Sequence, residues 1–192
     1  MSDIAAGSED ALVVVDLQID FCPGGALAVS EGDLIVPLVN RLLALSRPFK
    51  AATRDWHPAG HVSFQAQGGL WPPHCVAETP GARFHPGMDA DRVDLIISKG
   101  ALKDADAYSG FDGTRLAAEL KSRGVRRIFV CGLATDYCVR ATALDGRSEG
   151  LEVVVLEDAI RAVDVKPDDG DRAIQEMLGA GCALAKSVDI PE

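Results

Sequence analysis

The sequence predicts a single α/β domain in which a doubly wound parallel sheet carries helices on both faces. Short apolar runs rich in β-branched residues recur along the chain, and helical patterns or long loops separate most of them. The right-handed crossovers of such a sheet place helices on both of its faces. The strand-like runs lie at residues 12–16, 50–55, 93–98, 127–132, 152–156 and 182–185. Because 192 residues suit one domain, we expect residues 1–192 to form it.

Four helices are predicted from apolar stripes at helical spacing and from residues that start or stop a helix. In chain order, they begin near Ser30, at Asp112, at Asp136 and at Asp168 or Asp169. Pro48 and Gly124 follow the first two helices and would terminate them. Residues 58–86 fit neither pattern, and their length and content of glycine, proline, histidine and aromatic residues indicate a functional loop.

Composition excludes several classes of function. Apolar residues make up 47% of the chain and charged residues 25%, as in an ordinary globular protein. A formal net charge of −10 disfavours nucleic acid and anionic membranes as partners. No run reaches the ~18 apolar residues of a membrane span, and residues 1–10 are acidic and polar, unlike a signal peptide. We therefore expect a cytoplasmic protein.

One of the five cysteines stands in a position suited to chemistry. An odd number of cysteines without metal-finger spacing argues against a disulfide framework. We expect Cys22, Cys75, Cys131 and Cys182 to be small buried or neutral residues. Cys138, in contrast, lies in the first turn of a helix that follows a strand, where unpaired N–H groups and the helix dipole favour a thiolate and can hold an oxyanion.

Two charged residues at other strand ends could serve this thiol. Asp16 follows the first apolar run, and Lys99 follows the third. Because the carboxyl ends of parallel strands meet at one edge of the sheet, we expect both residues to lie beside Cys138. A buried group of this kind ionises cooperatively, with the ammonium holding carboxylate and thiolate together.

A second cluster has the composition of a metal site. Asp55 and His57 are two residues apart at a strand end, so their side chains share one face. His74 follows two prolines that stiffen the backbone presenting it. One carboxylate and two imidazoles suit zinc, iron(II) or manganese. His61 is a less certain ligand, and we interpret His85 as a loop residue.

Six motifs carry a resemblance to a known family. They are Val15-Asp16-Leu17-Gln18-Ile19-Asp20-Phe21, Asp55-Trp56-His57-Pro58, Trp71-Pro72-Pro73-His74-Cys75, Lys99-Gly100, Asp106-Ala107-Tyr108-Ser109-Gly110-Phe111 and Gly132-Leu133-Ala134-Thr135-Asp136-Tyr137-Cys138-Val139. In this order, and spanning nearly the whole chain, they resemble the motifs of nicotinamidases in the isochorismatase-like cysteine hydrolase family. The resemblance implies a six-stranded parallel sheet and the hydrolysis of nicotinamide to nicotinate and ammonia through a thioester, as a step of NAD salvage.

The resemblance also implies roles for particular residues. It gives a catalytic triad of Asp16, Lys99 and Cys138, an oxyanion site from the amides of Ala134 and Cys138, and a cis peptide between Leu133 and Ala134. It implies one divalent metal ion, with zinc as first choice and iron or manganese as alternatives, on Asp55, His57 and His74. The ion would bind the pyridine nitrogen of the substrate. Pyrazinamide is expected as a further substrate, and homo-oligomer formation is left open.

The flat substrate ring suggests which residues form the pocket. Phe21, Leu27, Trp71 and Tyr108 are candidate walls, although core packing is an equal alternative for Leu27. Rival functions fit less well: isochorismatase-type vinyl ether hydrolysis needs no cysteine nucleophile, and amidohydrolases of ureido substrates generally lack the histidine cluster. A receiver-like signalling module would use neither the histidine loop nor Cys138.

Overall fold

The computed structural model describes residues 6–191, and within them one six-stranded sheet forms the centre of the molecule. The strands are β1 (Asp10–Val15), β2 (Phe49–Asp55), β3 (Leu95–Lys99), β4 (Arg127–Leu133), β5 (Glu152–Arg161) and β6 (Ala183–Ala185). Every neighbouring pair is parallel, and the spatial order is β3-β2-β1-β4-β5-β6. The predicted doubly wound sheet is therefore confirmed.

The helices cover both faces of this sheet because successive side chains of a strand point to opposite sides. They are α1 (Val36–Ala44), α2 (Leu116–Ser122), α3 (Arg140–Ser148) and α4 (Asp169–Gly179). Leu12 and Val14 of β1 belong to the same apolar core as α1. Val13 and Val15, the alternate residues, belong to a second core that includes buried side chains of α2, α3 and α4. β1 is therefore packed against an apolar core on each face, and this packing fixes the position of its carboxyl end.

The strand order also determines where a site can form. From β1 the chain adds β2 and β3 on one side of the sheet, and then places β4, β5 and β6 on the other. The direction reverses between β1 and β4, and the crevice at such a switch point, outside the carboxyl ends of the strands, is where open α/β sheets bind ligands.

Helix starts differ from the sequence prediction in three places. The helix predicted at Asp136 begins instead with a π-helical turn, Thr135–Val139, and regular α3 begins at Arg140. A 3₁₀ turn, Gly32–Ile35, precedes α1, so regular helix begins later than Ser30. Asp112 does not cap α2: the Thr114 hydroxyl accepts a 3.2 Å hydrogen bond from the Leu116 N–H and donates to the Gly110 carbonyl at 2.6 Å. Because Thr114 supplies this bond, the helix begins at Leu116. The predicted start of the last helix agrees with α4, whose N-cap is Asp168.

Strand β5 is longer than predicted. Its apolar pattern stops before Glu157 and Asp158, yet the strand continues to Arg161. The Asp158 carboxylate accepts 2.7 Å hydrogen bonds from both the backbone N–H and the hydroxyl of Ser187, so its charge is accommodated within the strand. No helix among residues 6–191 has the length and apolar character needed to cross a membrane.

Candidate active site

Four strand ends converge at the switch point. Asp16 directly follows β1, while Asp55 and Lys99 are the last residues of β2 and β3 and lie opposite each other in the strand register. Cys138 lies in a π-helical turn, Thr135–Val139, that follows β4. All four side chains are buried. The sheet thus places the predicted Asp16, Lys99 and Cys138 together at one edge.

The ammonium group of Lys99 is the centre of this cluster. Its Nζ lies 2.8 Å from Asp16 Oδ2, 2.5 Å from Asp55 Oδ1 and 3.4 Å from Cys138 Sγ. The side chain is fully buried, so these partners, together with the Ala107 carbonyl at 3.3 Å, replace its hydration. Asp55, which the sequence assigned to the metal alone, therefore also belongs to the charged group around the thiol.

The charges of this cluster follow from burial and mutual attraction. Burial acts to lower the pKa of Lys99, but the carboxylates of Asp16 and Asp55 outweigh it and raise that pKa well above its usual value. Burial raises the pKa of the Asp55 carboxyl, but Lys99 and His57 outweigh it and lower the pKa. The lysine is therefore an ammonium and Asp55 a carboxylate.

The thiol and its partner carboxyl behave differently. Burial raises the pKa of Cys138 well above its usual value, and burial also raises the pKa of Asp16, although Lys99 opposes both shifts. The helix start favours the thiolate, but desolvation of Cys138 is the larger effect and raises the pKa of its thiol. Ionisation of the thiol requires a nearby acceptor for its proton, and Asp16 is that acceptor by position.

Asp55, His57 and His74 form the second part of the site. One possible ligand atom from each lies within 4.8 Å of the other two. Asp55 Oδ2 faces the Nε2 atoms of His57 and His74 at 3.4 and 4.0 Å, while its other oxygen faces Lys99. The Asp55 carboxylate therefore joins the histidine pair to the charged group around the thiol.

The hydrogen bonds of the two histidines fit a metal. His57 Nδ1 lies 2.9 Å from the Gly100 carbonyl and His74 Nδ1 lies 2.8 Å from the Pro72 carbonyl. Since a carbonyl can only accept, both Nδ1 atoms carry hydrogen and both Nε2 atoms can offer a lone pair. Gly100 is required here: its φ is +58°, and a Cβ would lie 2.5 Å from the His57 ring. These residues suit one divalent cation.

The other two histidines are placed outside this group. His61 Nδ1 is 2.7 Å from Ser63 Oγ and its Nε2 is 3.1 Å from the Ala105 carbonyl, so both ring nitrogens are engaged. Its ring stacks on His57 with centroids 4.2 Å apart. His85 accepts a hydrogen bond from the Gly87 N–H in its own loop. Neither histidine belongs to the group of possible ligands formed by Asp55, His57 and His74.

A cavity of about 430 Å³, including solvent space at its mouth, lies over both parts of the site. All four predicted pocket walls border it, namely Phe21, Leu27, Trp71 and Tyr108. Trp71 Nε1 donates a 3.0 Å hydrogen bond to the Tyr108 hydroxyl, which joins two distant loops across the pocket. Phe21 lies against His74, with ring centroids 5.6 Å apart. The cavity therefore has aromatic walls suited to a flat ring.

Sequence reasoning missed five residues that also border the cavity: Ser63, Asp106, Ala107, Tyr137 and Val163. Tyr137 contacts Trp71 edge to face at 5.0 Å, and its place next to Cys138 was a signal that could have found it. Val163 carried no such signal in the sequence. Its segment is held beside the pocket by a hydrogen bond from the Val163 N–H to the Asp136 carboxylate, a contact between residues distant in sequence.

The candidate oxyanion residues, Ala134 and Cys138, border the same cavity. The peptide bond between Leu133 and Ala134 is cis, as the resemblance implies. Just before it, Gly132 has φ +115°, and a Cβ there would lie 2.0 Å from the Val15 carbonyl oxygen. Only glycine lets β4 approach the end of β1 so closely, which brings the turn carrying Cys138 next to Asp16.

Fold and site together define a class: a hydrolase-type parallel α/β sheet with a buried aspartate, lysine and cysteine at its switch point, beside a carboxylate–histidine cluster. The chain belongs to the isochorismatase domain family, whose model matches residues 10–187. A nicotinamidase from Escherichia coli K12 is 39% identical over 206 residues, covering 95% of this chain and 97% of the relative.

Two solved structures are similar over nearly their whole length. A pyrazinamidase of Pyrococcus horikoshii in complex with zinc is 51% identical, with a TM-score of 0.86, and the match covers 93% of this chain and 99% of that one. PnC1 from L. infantum in complex with nicotinate is 40% identical, with a TM-score of 0.93, and the match covers 98% of both chains.

Metal content should depend on His74 far more than on His61. Replacing His74 by alanine removes a ligand, so we expect metal affinity to fall by more than the ~10- to 100-fold that loss of an outer partner costs. His61→Ala is the matched control, and we expect it to lower affinity by less than about tenfold. Elemental analysis after dialysis against a series of chelator concentrations measures both. Equal retention of metal by the two variants would exclude this ligand set.

Proposed function

We propose that the protein is a metal-dependent cysteine amidohydrolase that converts nicotinamide to nicotinate and ammonia, also accepts pyrazinamide and serves NAD salvage. One observation carries this proposal: Cys138 and the cluster of Asp55, His57 and His74 border the same aromatic cavity, so a single flat amide can contact both. The nicotinamidase relative, the pyrazinamidase and the nicotinate complex support it.

In the first half of the reaction, Asp16 takes the thiol proton and Cys138 Sγ attacks the amide carbon. The Lys99 ammonium, 2.8 Å from Asp16 and 3.4 Å from Sγ, stabilises the charges as the proton moves. The amides of Ala134 and Cys138 are the proposed donors to the tetrahedral oxyanion, a kind of interaction whose loss typically costs about 3–4 kcal/mol.

In the second half, the proton held by Asp16 passes to the leaving nitrogen, and ammonia departs to leave a thioester on Cys138. The same carboxylate then activates a water molecule that attacks the thioester. The C–S bond then breaks, nicotinate is released, and the proton that Asp16 took from the water returns to the sulfur. One carboxylate thus acts first as base, then as acid, and again as base, which its raised pKa favours.

The metal ion completes the proposal. When bound, the cation supplies a Lewis acid that coordinates the pyridine nitrogen and orients the carboxamide. We propose Asp55, His57 and His74 as its ligands and zinc as the ion, which the zinc complex of the pyrazinamidase supports. Iron(II) and manganese are the alternatives that the same ligands accept.

Three further proposals concern the domain, the compartment and the partners of the enzyme. We propose one domain over residues 1–192, supported by the family match to residues 10–187. The five free cysteines fit a reducing compartment, and we propose the cytoplasm. The net charge of −10 supports a small-molecule substrate over nucleic acid or an anionic membrane as partner.

Ammonia release from nicotinamide and from benzamide, with and without chelator, tests the proposal. Benzamide keeps the ring and the scissile amide but lacks the ring nitrogen, so it leaves the metal without its partner. We expect kcat/KM for nicotinamide to exceed that for benzamide by at least ~10²-fold, and chelation to slow nicotinamide far more than benzamide. Absence of ammonia release from nicotinamide by metal-loaded protein overturns the function. Equal kcat/KM values for the two amides overturn the role of the metal.

A further inference from the structure

The two carboxylate oxygens of Asp16 have different surroundings. Oδ1 accepts a 2.7 Å hydrogen bond from the Thr53 hydroxyl. Oδ2 lies 2.8 Å from Lys99 Nζ, and no hydroxyl or backbone N–H among residues 6–191 donates a hydrogen bond to it. Since Asp16 and Thr53 are both fully buried, neither carboxylate oxygen is exposed to bulk solvent.

Thr53 holds Asp16 at two points. Besides the hydroxyl contact, the Thr53 carbonyl accepts a 3.2 Å hydrogen bond from the Asp16 N–H. Asp16 has φ +46°, a left-handed conformation that is uncommon outside glycine. Two hydrogen bonds with one residue of β2 therefore fix both the backbone and the side chain of Asp16 just beyond the end of β1.

The Asp16 oxygen beside Lys99 is the candidate for proton transfer. Cys138 Sγ lies within 4.8 Å of an Asp16 carboxylate oxygen. The Thr53 hydroxyl takes one acceptor position of Oδ1, whereas Oδ2 faces the Lys99 ammonium, which itself lies 3.4 Å from Cys138 Sγ. The methyl group of Thr53 has a separate role, since it packs against Gly110, where an added Cβ would lie only 2.7 Å away. The hydroxyl and the methyl can therefore be tested independently.

We propose that Thr53 is a positioning residue of the reaction, whose hydroxyl holds Asp16 Oδ1 so that Oδ2 faces the thiol of Cys138. This inference rests on the proposed function. In the step it serves, the S–H bond of Cys138 breaks and an O–H bond forms on Asp16 Oδ2, while the sulfur electron pair forms the S–C bond to the amide carbon and the C=O π pair moves onto the amide oxygen. The proton later leaves with ammonia.

Valine and serine at position 53 separate the two roles of Thr53. Thr53→Val keeps the shape and removes the hydroxyl, whereas Thr53→Ser keeps the hydroxyl and removes the methyl. We expect kcat of Thr53→Val to fall by ~10- to 100-fold with KM within about threefold, because a misdirected base affects the chemical step. We expect Thr53→Ser to retain kcat within about threefold. Bound metal should be unchanged in both.

Thr142→Val is the matched control. Thr142 is also fully buried, and its hydroxyl accepts a 2.9 Å hydrogen bond from the Gly110 N–H instead of contacting Asp16. We expect this variant to lose stability but keep kcat. The proposal is overturned if Thr53→Val keeps kcat within about threefold, if Thr53→Ser is as slow as Thr53→Val, or if Thr142→Val is equally slow.

Alkylation of Cys138 by iodoacetamide provides a readout that needs no substrate. We expect slower alkylation in Thr53→Val than in the wild type, because a misdirected Oδ2 accepts the thiol proton less well. Unchanged or faster alkylation overturns the proposal, since it would mean that the hydroxyl does not direct Oδ2 to the thiol. If the wild type releases no ammonia from nicotinamide, the proposed function fails while this measurement still decides the role of Thr53.

Discussion

Replacing Cys138 by alanine is expected to lower the hydrolysis of nicotinamide by at least ~10⁴-fold, because loss of a nucleophile removes the covalent pathway itself. The structure indicates that the fold and the metal site survive this change. Lys99 keeps both of its carboxylate partners, and none of the three candidate metal ligands is altered. Ammonia release measures hydrolysis, elemental analysis measures the bound metal, and the thermal midpoint measures the stability of the fold.

Cys22→Ala is the matched control for this experiment. Cys22 is also buried, and burial raises the pKa of its thiol to about 11, but it does not border the cavity. We expect this variant to keep its activity. In the wild type, iodoacetamide should modify Cys138 before the other four cysteines, because Cys138 borders the cavity and has Asp16 nearby to take its proton. Substantial hydrolysis by pure Cys138→Ala protein, or prior labelling of another cysteine with activity retained, would remove the assignment.

Replacing Lys99 by methionine should lower both activity and stability. The ammonium compensates two buried carboxylates, Asp16 and Asp55, at 2.8 and 2.5 Å. Removing one partner of a buried ion pair leaves an uncompensated charge and typically costs about 3–5 kcal/mol. For a chain of this size that corresponds to a fall in Tm of roughly 10 °C. We also expect kcat to fall by at least ~10³-fold, because the proton transfer loses its stabilising cation.

A double variant separates the two effects. In Lys99→Met with Asp16→Asn, one of the two carboxylates is neutral, so we expect part of the lost Tm to return while activity stays absent. Lys103→Met is the control, since Lys103 is exposed and outside the cluster. Differential scanning calorimetry and ammonia release measure the outcomes. A Tm of Lys99→Met equal to that of the Lys103 control would show that the ammonium does not stabilise the buried carboxylates.

Much of the site was predictable because its chemistry is local in sequence. Asp16, Asp55 and Lys99 stand where apolar runs end, and parallel topology alone brings such ends to one edge. The residues of the aromatic walls were identified from their place in loop-like stretches and from the family resemblance. The contact between Lys99 and Asp55 was not predicted, because it depends on β2 and β3 being neighbours in register, which no local pattern encodes.

Where the structure differs from the sequence prediction, the cause is again a contact in the folded chain that no local pattern encodes. Asp112 is a residue type that commonly caps helices. In the structure, however, it is the Thr114 hydroxyl that accepts the hydrogen bond from the Leu116 N–H, because the preceding turn places it there. The helix start of Cys138 suggested a thiolate, but burial, which depends on packing from every side, raises the pKa of the thiol instead.

The sequence by itself determined the fold class, the family and the residue types of the site, because periodicity, strand ends and motifs are properties of neighbouring residues. Only the tertiary structure decided how these residues share charge and protons. It connected the candidate metal ligands to Lys99, which contacts the thiol, through the two oxygens of Asp55, and it placed the Thr53 hydroxyl on one oxygen of Asp16. Hydrogen bonds and desolvation act over a few ångströms in space, and residues 37 or 44 positions apart meet at those distances only in the folded chain.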